Sequence, residues 1–148
     1  MQLPDNFKFV ELTSGDLEAV QVLLRSNNLP SDDCGDHLSN FVGIEKNNRL
    51  IAIGGFEHRG QYSLLRSVAV ESRYRGLKLG ASLVKKILDK LRLLEVEAVY
   101  ILTETAEYYF SQFGFHSVGR DSLPSEIQST QQCQSLCPAS AVAMRLVL

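Results

Sequence analysis

Two stretches of the chain carry apolar residues every three or four positions, the spacing that gathers side chains on one face of a helix. They are Leu17, Val20, Leu23 and Leu24, and then Leu83, Val84, Ile87, Leu88, Leu91 and Leu94, the second backed by a polar face of Lys85, Lys86, Asp89 and Lys90. Between and around them lie short, strand-like apolar runs: 7–12, 41–45, 50–58, 61–70, 98–103 and 141–148. Asn47 and Asn48 separate the second and third runs, and asparagine tolerates the left-handed backbone of a tight turn, so a hairpin is expected there, with a further turn at Arg59-Gly60. Thr13 is the expected N-cap of the first helix with Asp16 in its first turn, and Asn27-Asn28-Leu29-Pro30 stops it. The polar stretch 31–38 reads as a loop or short helix.

The run 98–103 is almost continuously apolar, which suits a buried strand parallel to 61–70 with a helix over 80–95 as the crossover. A short helix within 105–115 should stop at Gly114, and another should start at Pro124 and run through Ile127 to Gln134. These elements predict an α/β (α+β) domain over 1–148. Its central sheet is mixed and mostly antiparallel, flanked by helices, with one parallel strand pair.

Composition narrows the function classes. With 148 residues, 45% of them apolar, one core is expected. A net charge of −2 and a pI near 5.9 leave no basic face for nucleic acid. No run has membrane-spanning length and Met1 to Asp5 lacks the features of a signal peptide, so a cytoplasmic enzyme or binding module is expected. The three cysteines, an odd number, argue against a disulfide framework. Cys133 and Cys137 are spaced to share a helical face and with Cys34 would make a soft-metal set, but no histidine accompanies them and the spacing is not C-x-x-C; free thiols and no metal are expected.

The chemistry concentrates at Ser67-Val-Ala-Val-Glu-Ser-Arg-Tyr-Arg-Gly-Leu-Lys-Leu-Gly-Ala-Ser82, a buried strand leading through an arginine-rich loop into the long helix. The unpaired N–H groups and the dipole of a helix start attract phosphate. Arg73, Arg75 and Lys78 add positive charge, while Gly76 and Gly80 let the backbone approach a ligand. Gly80 is followed by Ala81-Ser82 rather than Lys-Ser/Thr, so this is no P-loop, and Gly76-x-x-x-Gly80 is not the dinucleotide fingerprint.

Arg75-Gly-Leu-Lys-Leu-Gly80, with the preceding Val68-Ala69-Val70, resembles the acyl-CoA signature Q/R-x-x-G-x-G/A of the GCN5-related N-acetyltransferases (GNAT), except that Lys78 stands where the family has glycine. A lysine N–H can still donate if the loop does not require positive φ there. The block from Thr103 to Phe115 resembles a second GNAT motif, with Thr103 and Ala106 at the positions of Asn and Ala in N-x-x-A, and Gly114-Phe115 matching Gly-Phe. The tail, from Leu123-Pro124 through 135–142, is similar to a GNAT subfamily associated with bacterial arsenic resistance.

The resemblance implies acetyl-CoA-dependent acetylation of a small amine by direct attack, amino acids or amino-acid-like toxins being acceptors the subfamily suggests. It implies that main-chain groups of Val68, Ala69 and Val70 pair with the pantetheine arm, that Arg75, Gly76, Leu77, Lys78, Leu79, Gly80 and Ala81 cradle the pyrophosphate, and that the Val70 N–H polarises the acetyl carbonyl. A homodimer joined through the edge of the closing strand would also fit the family. The family's usual acid, a tyrosine four residues before Gly-Phe, is replaced by Phe110. Neighbouring Tyr109 is the candidate acid, although a shift of one residue turns a helical side chain by ~100°; packing aromatics and protonation by water stay open. Glu57 is the candidate base, with an exposed strand-end carboxylate as the alternative; His58 must face the other way. His37 lies in the stretch expected to wall the substrate, and His116 reads as a surface residue. Arg66, inside an apolar strand, needs a partner, a substrate carboxylate or more simply Glu104. Two rivals remain: an acyl-CoA-binding module with impaired catalysis, and a scaffold with no CoA site.

Overall fold

The computed structural model describes residues 3–148, the side chains of Ser135 and Leu136 apart. Strand β1 (Phe7–Glu11) leads into α1 (Leu17–Ser26), a 3-10 helix (Cys34–Asn40), and strands β2 (Phe41–Lys46), β3 (Arg49–Arg59) and β4 (Tyr62–Val70). Helix α2 (Leu79–Leu93), β5 (Ala98–Thr103), α3 (Glu107–Ser111), β6 (His116–Val118) and α4 (Ser125–Gln128) follow, then a π-helical turn (Gln132–Leu136) and β7 (Val142–Val147). The strands form one sheet in the order β1-β2-β3-β4-β5-β7-β6. It is mostly antiparallel, with β4 and β5 as its parallel pair. Among the described residues no helix is long and apolar enough to cross a membrane.

Local chemistry explains these boundaries. Asn47 and Asn48 both hold positive φ (53° and 63°), the turn that closes the β2–β3 hairpin as expected. Thr13 N–H donates to the Asp16 carboxylate at 2.8 Å ahead of α1. In α2, Leu83, Val84, Ile87, Leu88 and Leu91 are buried as their spacing predicts. Leu94 departs from that face: the helix ends at Leu93, Glu95 turns at φ 59°, and Leu94 is left 52% exposed while Val96 is buried in its place.

The chain divides into two compact units, 1–56 with 67–90 and 57–66 with 91–148. The core of the first gathers Val20, Leu23 and Leu24 of α1, Cys34 and Leu38 of the 3-10 helix, Phe41, Ile53 and Ala69. That of the second gathers Leu64, Ala98, Tyr100, Leu123, Ile127 and Ala143.

Three features depart from expectation. Strand β6 has only three residues, two of them exposed, so it lacks the apolar signal that marks a strand. The closing strand β7 is not a sheet edge, since β5 and β6 flank it. The helix expected from Pro124 to Gln134 breaks after Gln128 and resumes as the π-helical turn.

Candidate functional site

Strand β4 carries a kink that its sequence does not announce. Ser67 sits at φ 62° inside the strand, a left-handed conformation that re-aims the following residues Val68, Ala69 and Val70. The parallel ladder with β5 comprises, among the described residues, Tyr62↔Ala98, Ser63↔Val99 and Leu64↔Tyr100, and both strands run on past it.

In the first unit, the β4 end is tied to β3 by Glu71 N–H donating to Ile51 O at 2.8 Å. The loop then makes a 3-10 turn over Ser72–Tyr74, Gly76 turns at φ 87°, and α2 begins at Leu79. Ser82 N–H donates to Lys78 O at 3.1 Å, so the N–H groups of Leu79, Gly80 and Ala81 precede that intrahelical bond. Arg73, Arg75, Gly76, Leu77 and Lys78 are exposed around them. Lys78 corrects the sequence expectation: it holds φ 62°, so the loop does require a left-handed residue where the family has glycine. Left-handed backbone costs a side-chain-bearing residue about 1–2 kcal/mol, part of which glycine's greater entropy loss cancels. Lys78→Gly is therefore expected to raise the unfolding free energy by about 0.5–1 kcal/mol in urea titrations.

The loop's charges are themselves braced. Glu71 accepts from Arg49 Nη2 at 2.6 Å and from Arg73 Nε at 2.9 Å, and Arg75 Nη2 donates to Asn27 Oδ1 at 2.7 Å. Burial alone would raise the Glu71 pKa, but the hydrogen bonds and charges of Arg49 and Arg73 hold it below the ordinary carboxylate value. A lowered folded-state pKa contributes stability above the unfolded value and loses it as acid protonates the folded carboxyl. This brace is thus fully present at neutral pH. Beside it a cleft of about 650 Å³ runs between Glu18 and Val22 of α1 and Arg49, Glu71 and Arg75. In the same unit His37 Nε2 lies 3.6 Å from the buried Asp33 carboxylate.

In the second unit, Arg66 and Glu57 form an ion pair at 3.0 Å with side chains 1% and 2% exposed. Arg59 Nη2 donates to the other Glu57 oxygen at 3.1 Å. Glu57 is thus not the exposed strand-end carboxylate of the alternative reading; it pairs with Arg66, while Glu104 is exposed. Sequence distance hid the pairing, because the β3–β4 hairpin brings together residues nine positions apart. His58 faces solvent, as alternation along β3 requires.

Thr103, at the position of the family's Asn, ends β5, and its Oγ1 accepts from Ala106 N–H at 3.0 Å just ahead of α3. Phe110 is buried in an aromatic cluster with Phe113 and Phe115. Tyr109 meets Phe110 and Phe113 edge-on, and burial pushes its hydroxyl pKa above the ordinary value. Cys34, Cys133 and Cys137 are not joined in disulfides. Cys137 lies beyond the π-helical turn in extended backbone, which separates it from the helical face expected to carry Cys133 as well.

Similarity to known proteins adds an independent finding. The acetyltransferase (GNAT) family matches residues 10–115. A curated amino-acid acetyltransferase of Actinobacillus pleuropneumoniae is 31% identical over 91 residues, covering 60% of this chain but only 21% of the relative. The chain therefore spans about a fifth of the length of the curated relatives it matches. Among solved structures, N-acetylglutamate synthase from Neisseria gonorrhoeae, complexed with coenzyme A and N-acetyl-glutamate, superposes with TM-score 0.82 at 18% identity, over 96% of this chain and 35% of that one. A GNAT-family acetyltransferase from Staphylococcus aureus Mu50 gives TM-score 0.81 at 19% identity, over 96% and 99%. A Mycobacterium tuberculosis protein in complex with CoA gives 0.80 at 17%, over 95% and 99%.

Proposed function

The chain belongs to the acetyltransferase (GNAT) family, and from that premise we propose that it transfers an acetyl group from acetyl-CoA directly to a small amine. The single observation that carries this reading is the junction of β4 and α2, where left-handed Gly76 and Lys78 precede a helix start ringed by exposed cations. Its free N–H groups suit a pyrophosphate. In this reading Arg75, Gly76, Leu77, Lys78, Leu79, Gly80 and Ala81 hold the pyrophosphate, and main-chain groups of Val68, Ala69 and Val70 hold the pantetheine arm. The Val70 N–H donates to the acetyl oxygen as negative charge develops there. Glu57 receives a proton from the acceptor, directly or through water.

Tyr109 is the proposed source of the proton for the departing thiolate. Its raised pKa keeps the phenol protonated throughout the neutral range, the form an acid needs. Tyr109→Phe is expected to lower kcat by about a hundredfold with acetyl-CoA affinity unchanged, and wild-type activity should show no loss from phenol ionisation below about pH 10. An unchanged kcat would assign that protonation to water.

The acceptor is proposed to be an amino acid or an amino-acid-like toxin, in line with the amino-acid acetyltransferase relative and the arsenic-linked resemblance of the tail. The test is saturable acetyl-CoA binding by calorimetry, followed by a screen of amines for free-thiol release. A second reading, an acyl-CoA-binding module without turnover, is favoured by buried Phe110 at the family's tyrosine position. Binding without thiol release from any amine would select it.

A further inference from the structure

Two buried donor atoms in the second unit have no hydrogen-bond partner among the described residues, Gln132 Nε2 and Arg145 Nε. Gln132 is only 5% exposed. Such groups are rare because burying an unpaired donor costs stability, and each calls for a reason.

The amide of Gln132 is aimed. Cys137 donates its thiol hydrogen to Gln132 Oε1 at 3.2 Å, which turns Nε2 away from the thiol. Gln132 also opens the π-helical turn, closed by Cys137 N–H donating to Gln132 O at 3.0 Å. Turns of this kind are uncommon and concentrate at functional sites. Arg120 clamps the segment from outside, donating to Cys133 O at 2.9 Å and Pro138 O at 3.0 Å.

Arg145 shares the face of the sheet beneath this segment. It stands opposite Tyr100 in the β5–β7 ladder, and cross-strand partners project to the same side. Tyr100 packs with Leu64, Leu123 and Ile127, with Cys133 against them, so α4 and the π-helical turn cover that side. Arg66, two residues beyond Leu64 on β4, follows on the same side. Burial raises the Cys137 thiol pKa; the charges of Arg120 and Arg66 act against that and the Glu104 carboxylate adds to it, so all three lie within electrostatic reach of this turn.

Unpaired buried donors suit an anionic oxygen group. We propose that Gln132 Nε2 and Arg145 Nε donate to the carboxylate of the acceptor, so that Gln132 selects amino acids over simple amines. This rests on the acyl-transfer reading above. Both donor atoms are buried, so this assignment requires the segment that covers them to open for the ligand.

The experiment uses the full chain, wild type against Gln132→Met, which keeps the side-chain length and removes the donor. The probes are the common amino acids and their decarboxylated amines, with thiol release, calorimetry of acetyl-CoA and thermal melting as readouts. Wild type should turn over only carboxylate-bearing amines. Gln132→Met should raise KM for them at least about tenfold with kcat within about twofold, unchanged acetyl-CoA affinity and a melting temperature no lower than wild type. Gln132→Glu should raise KM further by like-charge repulsion. An unchanged KM in Gln132→Met, or equal use of decarboxylated amines by wild type, overturns the assignment and leaves the donors to internal water. Should no amine release thiol, the transferase reading fails separately. The carboxylate site then stands if an amino acid raises the wild-type melting temperature but not that of Gln132→Met, and falls if none does.

Discussion

Gly80→Glu is expected to abolish saturable acetyl-CoA binding in calorimetry, an affinity loss of at least about a hundredfold, or about 2.7 kcal/mol. Gly80 lies in the first turn of α2, among the N–H groups that precede the Ser82-to-Lys78 bond. A glutamate there adds bulk in front of those donors and places a negative charge where the proposed ligand brings phosphate. The same charge is favourable for the helix itself, because acidic residues at a helix start complement the dipole. Circular dichroism and the melting temperature should therefore be unchanged, which separates lost binding from lost folding. Unchanged affinity in this variant would remove the cradle from the mechanism, and a wild type that does not bind would remove acetyl transfer altogether.

The largest stability effect is expected at Arg66. Its side chain is 1% exposed against a Glu57 carboxylate at 2%. Removing one member of a buried ion pair leaves the other charge desolvated, at about 3–5 kcal/mol. Of the partners Glu57 keeps in Arg66→Met, Arg59 has a side chain 39% exposed and so better solvated. Urea unfolding should show a loss in that range, enough to unfold a marginal domain. The double variant Arg66→Met with Glu57→Gln should recover a substantial part, since no buried charge is then stranded. A cost below about 1 kcal/mol for Arg66→Met would mean that the remaining contacts hold Glu57 without it.

Much of this was legible in the chain. The helical spacing of 83–91, the Asn47-Asn48 turn and the glycine-spaced motif depend on near neighbours, and each appears at its expected place. Thr103 likewise holds the Ala106 N–H ahead of α3, a side-chain-to-backbone bond over three residues. The misses share a different character. Strand β6 exists because β7 pairs with it, with His116↔Arg145 and Ser117↔Met144 in register, and not because its own residues favour a strand. The π-helical turn depends on Arg120 reaching back to the Cys133 and Pro138 carbonyls, at separations of 13 and 18 residues.

By itself, then, the sequence determined the order and kind of the main elements, the hairpin, the parallel crossover and the glycine-spaced loop that opens α2, because periodicity, turn chemistry and capping act over a few residues. Only the tertiary structure decided that Lys78 must take a left-handed backbone, that Arg66 pairs with Glu57, and that Gln132 and Arg145 keep donors without a partner among the described residues. Each of these is set by how the strands register and the chain closes around them. That is a free-energy balance over distant residues, which no local pattern records.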